Sequence, residues 1–379
     1  MRVCLVYDCL YPHTVGGAER WYRNVAERLA GAGHDVTYLT LRQWDRGSNA
    51  GVSGVDVRAV GPRMELYVHG RRRLLPPVVF GAGVLLHLLR PRRRYDVVHT
   101  ASFPYFSLLA VGAVRPLRRF RIVVDWHEVW TRDYWRDYAG PVAGRIGWLV
   151  QRLGAHVGDR AFCFSRLHAG RLRDLGFPGE VTVLEGEYAG PVTQPEPAAP
   201  ELLVVFAGRH IPEKRVTALV PAFARARERI PGLRGEIFGD GPERAEVLRL
   251  VAEHGLDGAL SVPGRVESAV VEEAFRRALC QVLPSRREGY GLVVVEAAAA
   301  GTPSVVVRDP DNAATELIED GVNGVVAPSA DPEDLAAAIV RVHEAGPALR
   351  ESTAEWFERN ARRLSLDNSL ATVLRAYEV

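Results

Sequence analysis

The sequence has four cysteines, Cys4, Cys9, Cys163 and Cys280, and none falls in a C-x-x-C or other paired spacing. That excludes a disulfide scaffold and, with eleven scattered histidines, the usual zinc patterns. The expected setting is a reducing cytoplasm, with the cysteines acting as small core residues. Long hydrophobic runs are also missing. The longest uncharged apolar stretch, Leu74 to Leu89, is 16 residues and contains Pro76 and Pro77, too short and too broken to cross a bilayer. The first residues, Arg2-Val3-Cys4-Leu5-Val6, read as a strand and not as a signal peptide. Lysine is the scarcest of all: of 48 basic residues only Lys214 is a lysine. A general preference for arginine says nothing about function. One lysine kept against it marks a place where a compact ammonium is wanted, with chance as the competing explanation.

What is present points to two domains. The chain is 379 residues long and 47% apolar, enough for two cores. The net charge of +2 divides unevenly, +10 over residues 1–190 and −8 over the remainder. Short β-branched runs at 35–39, 96–99, 121–124 and 202–206 alternate with helical stretches, the pattern of parallel sheets covered on both faces. Tyr188 to Pro200, YAGPVTQPEPAAP, reads as a linker, after which the alternation restarts. We therefore expect a Rossmann-like domain over 1–187, a linker over 188–200 and a second such domain over 201–361. A helix over about 362–379 is expected to cross back to the first domain. In open parallel sheets ligands bind beyond the carboxyl ends of strands, so chemistry is expected on the loops there.

The unusual residues fall on such loops. VGGAER places Gly16 and Gly17 at a helix start, suited to a phosphate or sugar oxygen or simply to a helix-entry turn. VVVDWHEVW sets Asp125, His127 and Glu128 after a strand, a polar cluster that reads either as a site or as one satisfied histidine among acids. AGRHIPEKR puts Arg209 and Lys214 on the loop and first turn after another strand. Two cations at a helix N-terminus oppose its dipole unless an anion, naturally a diphosphate, lies between them; the alternative is two solvated bases. IFGDGPER, with Gly239, suits close backbone approach to a ligand or a plain tight turn, and its Pro242 suits a first helical turn. LPSRREGYGLVVVEAAAAG carries Glu288, Gly289, Tyr290, Gly291, Leu292 and Glu296. Were this span fully helical, Glu288 and Glu296 would lie about 12 Å apart, able to hold a sugar and a ribose through their hydroxyls. Alternatively one is a near-cap acid and the other a helix residue that must find a partner.

Taken in this order, GGAER, the DWH strand end, GR followed by EK, GDGP, Gly264-Arg265 and Glu-x(7)-Glu make the chain resemble the family 4 retaining glycosyltransferases over essentially its whole length. The resemblance implies the GT-B fold, α/β, with two doubly wound Rossmann-like domains facing an interdomain cleft. It implies that Gly16 and Gly17 approach donor phosphates and acceptor, and that His127 contacts the donor sugar. It implies that Arg209 and Lys214 neutralise the departing diphosphate and that Glu288 binds sugar hydroxyls. The amides of Gly289, Tyr290, Gly291 and Leu292 would bind sugar and phosphate, Glu296 the ribose, and Arg265 would lie near the base. Three departures stand out. Tyr290 replaces a commoner phenylalanine, Glu185-Gly186 stands where Asn-Gly is usual, and Asp309-Pro310-Asp311 replaces a glycine-rich turn. The last resembles a DxD metal site, yet the family needs no metal, and we read it as a loop.

The function expected is transfer of a hexose-type sugar from a UDP or GDP sugar to an acceptor hydroxyl on a glycan, a lipid-linked carrier or a small molecule, with retention and without metal or cofactor. Rivals are a nucleotide-sugar epimerase, a sugar phosphorylase and a non-catalytic nucleotide-sugar-binding protein. A pyridoxal-dependent phosphorylase is disfavoured because the one lysine already sits in the diphosphate motif. Nucleic acid is not an expected partner, since the basic clusters lack interleaved aromatics. Those clusters, Arg71 to Arg73 and Arg90 with Arg92 to Arg94, flank the apolar stretch at 74–89. Contact with an anionic membrane surface at the cytoplasmic face and a helix packed on the sheet are both consistent with them.

Overall fold

The computed structural model describes all residues except 15, 46–49, 69, 70, 92, 93, 194–198 and 379; side chains at 67, 68, 71, 72 and 378 are likewise not described. Arg92 and Arg93, the side chains of Arg71 and Arg72, and part of the expected linker therefore lie outside the described residues.

By its contacts the chain divides into two units, Met1–Glu185 with Ser369–Val379, and Gly186–Asn368. In the first, strands β1 (Arg2–Val6), β2 (Asp35–Leu41), β3 (Val55–Gly61), β4 (Val97–Ala101), β5 (Arg121–Trp126), β6 (Arg160–Cys163) and β7 (Glu180–Val183) form one sheet in the order β3-β2-β1-β4-β5-β6-β7. Every pairing is parallel. Helices α1 (Gly17–Gly31), α2 (Leu75–Leu89), α3 (Tyr105–Arg118), α4 (Arg132–Ala139), α5 (Pro141–Gly154) and α6 (Arg166–Asp174) connect the strands. The near-continuous apolar runs of β1, β4 and β5 are buried almost throughout, as a sheet covered on both faces requires.

The second unit repeats the plan. Strands β8 (Leu203–Ala207), β9 (Arg234–Phe238), β10 (Leu260–Gly264), β11 (Cys280–Leu283), β12 (Ser304–Val307) and β13 (Gly324–Ala327) order as β10-β9-β8-β11-β12-β13, again all parallel. The order turns outward on either side of β8, which makes the ends of β8 and β11 the switch point where ligands bind in such sheets. Helices α7 (Val216–Arg229), α8 (Arg244–Glu253), α9 (Ser268–Arg277), α10 (Leu292–Ala299) and α11 (Pro332–Leu364) complete it. Gly346, with φ +61°, breaks α11 just before Pro347. Just beyond that break the buried Arg350 guanidinium donates to the carbonyls of Ala278 at 2.7 Å and Ala300 at 3.3 Å, capping the ends of α9 and α10 with one cation.

The chain then returns. Trp356 and Phe357 stay with the second unit, where Tyr188 packs edge-on to Phe357, and the return starts at Ser369. Helix α12 (Leu366–Glu378) buries Leu370, Val373, Ala376 and Tyr377. All four described cysteines are free and buried, and burial pushes the Cys163 and Cys280 thiols up to about 12.

Candidate functional site

Two groups of residues lie at the carboxyl ends of the two sheets. In the first unit the helix α1 starts at Gly17 with Gly16 as its N-cap, in extended backbone. A Cβ on Gly16 would sit 2.3 Å from a Glu19 carboxylate oxygen, whereas Gly17 has open space where its Cβ would be. The polar cluster after β5 separates into three different roles. Asp125 is fully buried and accepts from Trp21 Nε1 at 2.7 Å, with His99 Nε2 at 2.8 Å. Burial works to raise its carboxyl, but His99, His127 and Trp21 outweigh that and leave it below the usual carboxylate value. Asp125 is thus a structural anchor joining α1 and β4 to β5. Glu128 accepts from Trp130 Nε1 at 2.6 Å. His127 stacks flat on Phe164, ring centroids 4.4 Å apart, and its Nε2 has no hydrogen-bond partner among the described residues. Burial lowers its pKa, against the pull of Asp125 and Glu128, so the ring is neutral at pH 7.

The second unit holds the denser group. The Gly-Asp-Gly-Pro turn after β9, expected to be either a close approach to a ligand or a plain tight turn, uses its two glycines to let backbone approach backbone. A Cβ on Gly239 would lie 1.9 Å from the Gly208 carbonyl oxygen, and one on Gly241 would lie 2.4 Å from that of His210. Both have positive φ. The loops after β8, β9 and β10 are laced together here: Gly208 N donates to Phe238 O, Gly239 N to Gly264 O and His210 N to Asp240 O. Pro242 also falls in the turn before α8, which begins at Arg244.

This lacing holds the Gly-Arg-x-x-x-Glu-Lys segment. Arg209 is exposed on it, and its side chain makes no hydrogen bond or ion pair among the described residues. Lys214 is not on the first turn of a helix. It ends a short 3-10 turn, Pro212–Lys214, and Arg215 in the left-handed conformation intervenes before α7. Its Nζ lies 2.5 Å from Glu288 Oε1, an oxygen that also accepts from Ser285 Oγ at 2.6 Å. The span from Glu288 to Glu296 is not one helix. Arg287–Glu288 form a two-residue strand beside Asp311–Asn312, and α10 starts four residues later, capped by Gly291 at φ +105°. The 12 Å expected of a continuous helix therefore does not apply. Gly289 and Tyr290 form the intervening turn and Leu292 opens α10, whose first amides lack helical acceptors. Glu296 is half-buried on α10, where it raises the pKa of the Tyr188 hydroxyl together with burial, the larger cause. Arg265 is exposed after β10.

Several contributors escape the sequence. Asn312 is buried and donates to the carbonyls of Ser285 at 3.1 Å and Val307 at 2.8 Å, pinning the loop that carries Glu288. Arg286 N donates to Glu213 O at 2.8 Å, docking that loop on the Lys214 turn. Asp309 of the Asp-Pro-Asp segment is 3.2 Å from the Arg215 guanidinium. Among the described residues no group of three or more potential metal-binding side chains converges.

Residues 15–185 match the family Glycosyltransferase Family 4, and residues 193–363 match Glycosyl transferases group 1. The chain belongs to the family 4 glycosyltransferases. It is 29% identical to glycogen synthase of Mycobacterium tuberculosis over 99% of this chain and 93% of that protein. An exopolysaccharide phosphotransferase of Streptomyces coelicolor is 35% identical over 43% of this chain, which spans only 17% of that longer protein. Among solved structures, sucrose-phosphate synthase from Thermosynechococcus elongatus superposes with a TM-score of 0.79 at 18% identity, covering 100% of this chain and 98% of that one. Anabaena HepE in complex with UDP-glucose gives 0.71 at 15%, covering 99% and 100%. This family 4 glycosyltransferase thus has the two-domain, parallel-sheet GT-B fold.

Proposed function

We propose that this glycosyltransferase moves a hexose-type sugar from a nucleoside diphosphate sugar to an acceptor hydroxyl in the cytoplasm, with retention and without metal. The observation that carries the reading is the Lys214–Glu288 pair, 2.5 Å apart and contributed by loops 74 residues apart in sequence. It sets a cation suited to a diphosphate directly beside a carboxylate suited to sugar hydroxyls, at the switch point of the second sheet. On donor binding the diphosphate takes the Lys214 ammonium, and Glu288, still held by Ser285, turns its second oxygen to the sugar. Arg209 supplies the second positive charge. As the bond from the anomeric carbon to the diphosphate breaks, negative charge grows on the leaving oxygen and these cations stabilise it. The acceptor oxygen bonds to the anomeric carbon on the same face, and its proton passes to the departing phosphate. His127, neutral and with Nε2 unpartnered, contributes a polar contact to the donor sugar. Arg265 lies near the base and Glu296 binds the ribose. No metal is needed for this scheme, because Arg209 and Lys214 meet the diphosphate charge.

The HepE complex makes UDP the first nucleotide to try. Calorimetry should show selective binding of UDP or GDP, with Lys214→Ala weakening it roughly 10- to 100-fold, the value of one charge-assisted hydrogen bond. Equal affinity in the substituted protein would refute the diphosphate site. Binding of neither nucleotide by a folded sample would refute the transferase. Product analysis separates transfer from epimerisation, which leaves the sugar on its nucleotide.

A further inference from the structure

The helix α5 is built inside out. The centre of its inward face is small and polar, with Gly144, Gln151 and Gly154 buried, while Trp148 and Val150 pack on the core at its edges. A Cβ on Gly144 would lie 2.3 Å from the Trp135 carbonyl oxygen, and one on Gly147 would lie 2.4 Å from the Trp135 ring. Its outward face carries Val142, Ile146, Leu149 and Leu153, exposed by 73%, 57%, 44% and 60%. At about 100° per residue these four fall within a stripe roughly 60° wide, centred opposite Gln151. Arg145 and Arg152, both exposed, flank the stripe on one side.

The neighbouring helices extend the pattern. α5 packs beside α3, and α3 beside α2. Leu117 of α3 is 70% exposed and Leu86 of α2 is 64% exposed. Arg115, which pairs with Asp159, and Arg119 sit at the end of α3 beside Leu117. None of the three helices contains an aspartate or a glutamate. An ordinary surface helix points its charges outward and its aliphatic residues inward, so three acid-free helices with aliphatic outer faces require a partner.

We propose that the outer faces of α2, α3 and α5 together dock on an anionic lipid bilayer. Charge decides the occupant. Aliphatic side chains enter the boundary between headgroups and acyl chains while the flanking arginines meet lipid phosphates. A second copy of this chain would set Arg145 and Arg152 against arginine, with no acid on α2, α3 or α5 to relieve the repulsion. Nucleic acid would meet a mainly aliphatic surface, on which Phe106 of α3 is the exposed aromatic side chain. The candidate stretch therefore shifts from residues 74–89 alone to a surface centred on α5. It involves the first unit only and does not depend on the donor chemistry.

The test is flotation of the full chain with phosphatidylcholine vesicles, with and without about one-third phosphatidylglycerol. The wild type should float with the anionic vesicles, not with the neutral ones, and less at high salt. Ile146→Asp/Leu149→Asp and, separately, Arg145→Glu/Arg152→Glu should each cut the bound fraction roughly tenfold. All four positions are exposed, so melting temperature and nucleotide affinity should stay at wild-type values. No flotation with anionic vesicles overturns the proposal, as does equal flotation of the Ile146/Leu149 variant. Self-association that this variant abolishes, without vesicle binding, overturns it in favour of a second copy.

Discussion

Asp125 shows how a polar residue can sit at a strand end, beside the chemistry, and yet hold the scaffold. Its folded carboxyl is pulled below its ordinary value of 3.8, the cost of burial being outweighed by His99, His127 and Trp21. A lowered folded value stabilises the protein above the unfolded pKa, and that stability is lost as pH falls through the folded one. Asp125→Asn should therefore cost about 1–3 kcal/mol at pH 7, and the difference from wild type should shrink below roughly pH 4. Urea melts at the two pH values check this; an unchanged difference at low pH would mean that the charge is not what matters. At this scale the sequence was legible in residue type and less so in role. The strand-end position singled out Asp125, His127 and Glu128 together. Only His127 keeps an unpartnered nitrogen, because Trp21 and Trp130 occupy the acids. Those partnerships depend on ring placement, which spacing along the chain does not encode.

Among the elements, the strand-to-helix loops of the second unit carry the site, and glycine sets how tightly they interlock. Gly239→Ala would force a Cβ against Gly208 O in backbone at φ +119°. It should cost about 2 kcal/mol or more and weaken nucleotide binding, because the displaced loop leads straight into Arg209. Gly255→Ala is the control. It also has positive φ, +63°, but nothing lies within 4 Å of its Cβ. It should cost only about 1 kcal/mol and leave nucleotide affinity unchanged. Thermal melts with calorimetry separate the two; equal loss of affinity in both would remove the role given to the lacing. Strands were legible because their apolar runs are nearly continuous: the run at 121–124 lies inside β5 and that at 202–206 overlaps β8 almost completely. The Glu288 loop was not. Its two-residue pairing with Asp311–Asn312 is too short to leave a period, and the Lys214–Glu288 contact joins distant segments through loops.

For the whole molecule, the division of the chain is the telling feature. Ending the protein after Asn368 would remove Leu370, Val373 and Tyr377, all buried in the first unit, along with the Tyr377 hydroxyl 2.5 Å from His99 Nδ1. That should cost the first unit about 5 kcal/mol, comparable with the net stability of an ordinary domain. Hydrogen exchange should show protection lost in β1 and β4 but kept in β8 and β11, with nucleotide binding retained. Undiminished protection in β1 would show that α12 is dispensable.

The same return of the chain sets an order in time. Residues 1–185 leave the ribosome first, yet the helix that completes them is made only after the whole of the second unit. While residues 186–368 are made the first sheet waits with the seat of Tyr377 open, whereas the second unit is contiguous and needs no segment made after it. Of the two units, the one translated first is thus the one completed last, and a nascent chain must keep that seat from sticking elsewhere until α12 arrives.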